Sequence, residues 1–436
     1  MVLSKWLKIC ISGLLALMLS GEVSAQRFLS EYDSTLFMRD TLIDVVQRFD
    51  NLRFSGYMQP QFQVAGSKGA PSYNGGNFSE FANNRFLLRR ARVKLDYIIP
   101  AKEGNIPRAL FSFQFDATER GVNVRDMFAR VYEPRNKHFS ATTGLFARPF
   151  GFELTYSSAF RETPERGRMS QILMPTERDL GAMVSYETRS RNKKSPLFKW
   201  DAGVFNGQGL TGTMEFDSYK DFISRITMKP YKLTEALSLS TGLSLLRGGW
   251  QQGTRYRYEM NKSGEANFTV DSSLSNLGGK APRHYYGADA QLVWKHGWGK
   301  SEWRAEYWKG TQPGTASTTV NPGILPTTPT YIRQFDGAYF YYLHNFGKDK
   351  WQFVAKYDWY DPNTKVTGNQ IGSNGSNLGA ADVRFSTVVI GMNRWLWEHI
   401  RLMAFYDIVR NERTNLTGYT DDIDDDVFTF RIHFIF

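Results

Sequence analysis

The chain has 436 residues, 15% aromatic and only 41% hydrophobic, with a mean hydropathy of −0.43 and a formal net charge of +11. Its 32 Phe, 22 Tyr and 11 Trp exclude a disordered chain, and the absence of long apolar stretches beyond the extreme N-terminus excludes a multi-helix membrane protein, whose helices need roughly 18 apolar residues each. A polar average with abundant aromatics and Gly fits strands whose side chains face oil and water in turn, the pattern of a transmembrane β-barrel.

Lys5 and Lys8 flank the start of a short apolar core, Leu7 to Leu19, and Val23-Ser24-Ala25 ends in small residues before Gln26. Residues 1–25 are predicted to be a secretory signal peptide cleaved after Ala25. Cys10, the one cysteine, leaves with it. No disulfide, thiolate ligand or cysteine nucleophile is then expected in the mature chain. Loss of Lys5, Lys8 and Glu22 leaves 52 basic and 42 acidic residues. In an exported protein that excess speaks against nucleic acid and for lipopolysaccharide phosphates, a surface polyanion or a small passing anion. Residues 26–51 read as a periplasmic N-terminal segment, where Leu36, Ile43, Val46 and Phe49 sit at roughly helical spacing.

Residues 52–436 read as the barrel itself. Sixteen strands are predicted near 52–65, 83–98, 108–117, 123–133, 138–147, 180–189, 197–206, 220–230, 236–246, 284–296, 300–310, 333–346, 350–360, 383–396, 399–410 and 426–436. Most have the roughly ten residues a tilted spanning strand needs. Phe111, Phe113 and Phe115 share one face, Ser112, Gln114 and Asp116 the other; Leu237 to Leu245 and Trp351 to Trp359 alternate likewise. Tight turns at 133–137, 297–300, 347–350 and 397–399 alternate with long links at 66–82, 148–179, 207–219, 247–283, 311–332, 361–382 and 411–425. Short periplasmic turns and long external loops characterise outer-membrane barrels. The link at 118–122 is the exception: external by order, yet short.

The second strand carries a run of cations. Leu87, Ala91, Val93, Leu95 and Tyr97 fit the lipid face, and Arg90, Arg92, Lys94 and Asp96 then share the lumen face. Arginine facing lipid near mid-bilayer costs roughly 2–4 kcal/mol, so the ladder must point inward. Arg89 breaks the alternation and is expected to snorkel at the outer end. Parity also sends Arg130, Arg225, Lys229, Arg304, Lys356 and Arg431 inward. Rings of cations attract anions in pores. The competing reading pairs these cations with inward Asp96, Asp116, Glu302 and Glu306.

Residues 144–182 read GLFARPFGFELTYSSAFRETPERGRMSQILMPTERDLGA. The stretch resembles the phosphate-selective porin O and P family through Gly144, Arg148, Pro149, Phe150, Gly151, Glu153, Glu165, Arg166, Pro175, Arg178, Asp179, Leu180 and Gly181. The resemblance covers about forty residues closely and the rest only in architecture. It implies a sixteen-stranded barrel, a homotrimer, and a third external loop folded inward to narrow the pore; this link is third in external order. Arg148, Pro149, Phe150, Gly151, Glu153, Arg161, Glu165, Arg166, Arg168 and Arg178 are therefore the candidate constriction residues, and Arg90, Arg92, Lys94 and Arg130 the candidate anion-attracting wall. Two features depart from the family. Glu162 and Glu165 lie beside Arg161, Arg166 and Arg168, which would suit a self-paired structural loop, and the family's phosphate-preferring residues align with no defined set here.

Phe428, Phe430, Ile432, Phe434 and Phe436 alternate to the C-terminus. That ending resembles the signal by which the barrel assembly machinery recognises its clients in the bacterial outer membrane. The acidic run Asp421 to Asp426 lacks EF-hand spacing and reads as a solvated loop or a divalent-cation bridge to lipopolysaccharide. There is no P-loop, G-x-S-x-G or H-E-x-x-H motif, and the six His are scattered. No cofactor, metal or enzymatic activity is expected. The reading is an all-β passive channel preferring anions such as phosphate or polyphosphate. The alternatives are a general or sugar porin using Tyr285, Trp303, Trp308 and Trp359 as a stacking path, and a plugged, non-conducting barrel carrying an adhesin or enzyme.

Overall fold

The computed structural model describes residues 51–101, 106–135, 138–188, 197–212, 214–261, 266–348 and 350–436. The signal peptide and the periplasmic segment expected at 26–51 fall outside these residues, apart from Asn51 itself. The strands are β1 (Leu52–Ala65), β2 (Asn84–Ile99), β3 (Ala109–Thr118), β4 (Gly121–Tyr132), β5 (Phe139–Ala147), β6 (Arg178–Glu187), β7 (Phe198–Phe205), β8 (Asp221–Lys232) and β9 (Leu237–Gln251). They continue with β10 (Arg257–Met260), β11 (Phe268–Asp271), β12 (Lys280–His296), β13 (Gly299–Gly314), β14 (Thr330–Phe346), β15 (Trp351–Asp361), β16 (Phe385–Trp397), β17 (Ile400–Asn411) and β18 (Val427–Ile435).

All but β10 and β11 form a closed sixteen-strand antiparallel barrel, each strand paired with its chain neighbours. Closure comes from β1 against β18, in register from Tyr57↔Ile435 to Ala65↔Val427. Every expected strand is present. The short β10–β11 hairpin was not foreseen; it sits in the link between β9 and β12, antiparallel within itself and parallel to the start of β14. Long links gather at one end and shorter links of two to ten residues at the other, and the β3–β4 link is short at the long-loop end, as the sequence suggested.

Burial is inverted relative to a water-soluble fold. Phe54, Phe86, Val131, Leu243 and Phe340 are exposed on the outer surface, while Gln61, Ser112, Asp116, Arg225, Asp289 and Arg431 are buried inside. Lipid accepts apolar groups only, so each strand directs its polar set to the interior. The period-2 readings of β3, β9 and β15 hold: Phe111 and Phe113 are exposed, and Ser112, Gln114 and Asp116 are buried.

One correction concerns β2. Met58 faces Ala91, but Pro60 faces Leu88, so Arg89 and Arg90 together oppose Gln59. An extra residue of this kind, a β-bulge, reverses which parity points inward. Below it Arg90, Arg92 and Asp96 face inward as expected; above it the phase flips. Leu87 is buried inside rather than on lipid, and Phe86, 86% exposed, takes the outer place.

Candidate functional site

The link between β5 and β6, residues 148–177, contains two short helices, α1 (Phe152–Thr155) and α2 (Arg168–Leu173). Its side chains are almost all buried: Arg148, Phe150, Glu153, Arg161, Glu162, Glu165, Arg166 and Arg168 are at most 8% exposed.

The link is anchored at its start by the Pro-Phe-Gly-x-Glu run. Phe150 is fully enclosed, edge-on to Trp308 with centroids 4.7 Å apart and to Tyr285 at 6.0 Å. Gly151 holds φ +65, and a Cβ there would lie 1.9 Å from Glu306 Oε1. With that space open, the Phe152 and Glu153 N–H groups each donate to the Glu306 carboxylate at 3.0 Å. Trp308 Nε1 and Tyr339 OH donate to the same carboxylate, each at 2.6 Å. Glu306, expected to neutralise a cation, instead accepts four hydrogen bonds at the N-terminus of α1, where negative charge is favoured. Glu153 is held the same way, accepting from Gly167 N–H at 2.9 Å and Ser170 Oγ at 2.7 Å.

The middle of the link meets the wall through charge. Arg304 of β13 grips Glu162 with two bonds of 2.7 and 2.8 Å. Glu165 receives Arg89 at 2.8 Å, Arg90 at 2.6 Å and Arg431 at 3.0 Å. Arg89 therefore does not snorkel; the bulge turns it toward Glu165 beside Arg90. Burial acts to raise the Glu165 pKa, but Arg89, Arg90 and Arg431 outweigh it and hold the carboxyl well below its usual range. Backbone carbonyls of the link are bonded as well: Asn393 to Glu162 O, Arg401 to Arg161 O, Arg431 to Pro164 O and Gln59 to Ser158 O.

The self-pairing expected of Glu162 and Glu165 is not formed, since both go to wall arginines; the closing turn is self-paired through Glu177 instead. Arg166 lies 3.4 Å and Arg161 4.0 Å from Glu177. Arg168 instead reaches out, its guanidinium 3.8 Å over Phe385, 4.6 Å over Tyr73 and 3.9 Å from Asp425. Asp425 is 3% exposed, and Asp426 accepts from Val409 N–H and Arg410, so these two acids are structural, while Asp421, Asp422 and Asp424 are exposed as a solvated run would be. No cluster of three or more metal-ligating side chains occurs among the described residues. Arg148 donates to Thr176 O and lies 3.9 Å from Asp179, and Pro149 is buried between Arg148 and Phe150. Arg178 opens β6 and pairs with Asp126 at 3.0 Å.

The expected wall cations do face inward, and each member of the ladder is paired. Arg90 binds Glu165, Arg92 binds Asp116 at 3.0 Å, and Lys94 binds Asp96 at 2.9 Å. Arg130 donates to Thr142 at 2.9 Å. Arg90 and Arg92 are only 4% and 3% exposed, whereas the Lys94 side chain keeps 17%. The aromatic stacking path is not formed. Trp303 and Trp359 face outward, and Tyr285 and Trp308 are sealed by Phe150. Sequence reasoning missed Tyr339, Tyr341, Asn393 and Arg401 as partners of the link. A tyrosine or asparagine on the inward parity was the available signal, since a buried polar tip needs a partner.

No protein-family model matches the chain, and no curated protein matches it. Among solved structures it is similar to Pseudomonas putida OprB, at 9% identity and TM-score 0.54 over 88% of this chain and 94% of that one. It is also similar to the outer membrane channel DcaP of Acinetobacter baumannii, at 12% identity and TM-score 0.52 over 88% and 97%. Salmonella typhi OmpF, solved with daunomycin, aligns at 11% identity and TM-score 0.52 over 88% and 97%. At these identities the likeness is one of fold: the sixteen-strand barrel of bacterial outer-membrane porins.

Proposed function

We propose that this barrel is a passive diffusion channel of the outer membrane, with residues 148–177 folded across the bore as its constriction and a modest preference for small anions such as phosphate. The observation that carries the reading is the contact pattern of that link. Its acids are held by Arg89, Arg90 and Arg431 on β2 and β18 and by Arg304 on β13, well separated around the wall. Meanwhile Lys94, Arg125, Arg178, Lys199 and Lys229 on β2, β4 and β6–β8 keep 15–23% of their side chains accessible. The path for a solute then runs beside those strands. Each of these cations has a carboxylate within reach, so the anion preference comes from the chain's excess of basic over acidic residues rather than from an unpaired staircase. Lipopolysaccharide and phospholipid outside, the assembly machinery reading Phe436, and a homotrimeric state belong to the same proposal.

A second reading has its own support. Phe146, Met183, Phe205, Ile223 and Leu246 on the inner face join Phe150, Leu154, Met169 and Ile172 in one buried apolar cluster. A cluster of that extent suits a barrel closed at this level. Purified protein in a planar bilayer separates the two. Single-channel steps with a reversal potential favouring chloride in a KCl gradient support the channel; a cation-favouring potential removes the anion preference, and absence of steps leaves the closed barrel.

A further inference from the structure

Two histidines on the outer surface, His296 and His344, stand at the short-turn rim of β12 and β14 and take no part in the bore. Parity fixes their direction. His296 shares a face with Trp294, and His344 with Tyr342 and Phe340, and Trp294 and Phe340 are 41% and 49% exposed. The two imidazoles lie parallel, 6° between planes and 5.5 Å between centroids. Trp298 of the intervening turn packs on both, at 4.2 Å and 4.6 Å.

Ser301 Oγ lies between the rings, 3.1 Å from His296 Nε2 and 3.0 Å from His344 Nδ1. Tyr342 OH is a more distant third neighbour at 3.5 Å; a hydroxyl has one proton, so of its two nearer partners it donates to one ring and accepts from the other. His296 Nδ1 is enclosed without a hydrogen-bond partner, and a buried N–H is the atom least tolerated in that state. The network therefore assigns the His296 proton to Nε2, which donates to Ser301; Ser301 donates to His344 Nδ1; and the His344 proton sits on Nε2. His344 is partly exposed, so the relay ends in one N–H donor at the rim.

Depth and charge identify what accepts it. Tryptophan gathers at headgroup level, and the short turns of such barrels face the periplasm. Lys348, in the turn that follows His344, is exposed, whereas Lys295 alternates with Trp294 and His296 and shares the inner face with Lys300 and Asn345. His344 and Lys348 together set an imidazole donor and an ammonium group against a headgroup layer whose fixed anion is phosphate. We propose that His344, oriented through Ser301 by His296, binds the phosphate of a phospholipid in the periplasmic leaflet, with Trp294 and Trp298 flanking the glycerol.

Native mass spectrometry of the full protein with added phosphatidylglycerol tests this. The wild type should retain one lipid about tenfold more strongly than His344→Ala, the scale of losing one hydrogen bond to a charged group. Ser301→Ala, which keeps both imidazoles but cuts the relay, should fall between them, and His399→Ala on the same rim should match the wild type. Heat-modifiable gel mobility verifies folding of each variant, and the outward position of His344 leaves the barrel core untouched. Equal retention by wild type and His344→Ala overturns the proposal. So does displacement of the lipid by inorganic phosphate at equal concentration, which would make this a site for the free anion.

Discussion

Glu165 concentrates the electrostatics of the β5–β6 link in one carboxylate. Three guanidinium groups within 2.6–3.0 Å share it, and removing it leaves three like charges together in a buried place. Breaking a buried pair from one side costs roughly 3–5 kcal/mol. Glu165→Gln should therefore undock the middle of the link while the barrel, held by its strand ladder, stays closed. Trypsin cleavage after Arg161, Arg166 or Arg168 should become fast in the variant and stay slow in the parent; unchanged cleavage would refute the latch. The pH dependence follows with a defined sign. Glu165 has a folded-state pKa lowered from 4.5, so its stabilisation is complete above about pH 4.5 and is lost as the pH falls through the lower folded value. Asp425 in the outer loop behaves oppositely. Burial pushes it up to about 6, against Arg168 and with Asp422 and Asp426. Its burial is therefore relieved, not lost, as the pH falls from about 6 toward the usual carboxylate range. Trypsin sensitivity of the link should thus stay flat from pH 8 to 5 and, read with an acid-tolerant protease, rise only below about pH 4.

At the scale of the element, the link keeps its path because a glycine lets a carboxylate approach its backbone. Gly151→Ala adds a Cβ against Glu306 at a φ of +65, a conformation that costs a non-glycine residue about 1–3 kcal/mol. The substitution should loosen α1 first, seen as faster hydrogen exchange at Phe152–Tyr156 than at α2; equal exchange in both helices would place the anchor elsewhere. The motif Pro149-Phe150-Gly151-x-Glu153 was visible in the sequence, but its partner Glu306 lies 155 residues beyond Gly151 and was read only as an inward acid. The barrel strands were legible for a physical reason: oil on one side and water on the other force a strict period of two over ten or more residues. Where that force is absent the reading failed. The β10–β11 hairpin has four-residue strands in an external loop, with no lipid face to impose alternation. The bulge opposite Gln59 changes phase within a run of Arg and Leu where either phase places some arginine outward, so Leu87 and Arg89 were assigned the wrong way.

For the whole molecule, the decisive question is which cations a solute can meet. The ladder Arg90-Arg92-Lys94 reads as three equivalent charges in sequence, but their environments differ. Arg90 and Arg92 are buried in pairs with Glu165 and Asp116, and Arg92 also donates to Ser158 of the link at 3.0 Å. Replacing those two removes structural contacts first and selectivity only as a consequence. Lys94 and Arg130 are more open and sit beside the proposed path. Lys94→Gln with Arg130→Gln should leave the link docked, with tryptic resistance unchanged, while moving the KCl reversal potential toward zero. The change in permeability ratio should be about twofold at 0.1 M salt and smaller at 1 M, since ions screen exposed charges within roughly 10 Å and 3 Å respectively. Arg90→Gln with Arg92→Gln should do the reverse, raising tryptic sensitivity and single-channel noise before it changes the sign of selectivity. If the first pair instead leaves the potential unmoved at both salt concentrations, the solute path does not run beside β2 and β4, and the accessible face of the bore must be sought along β6–β8.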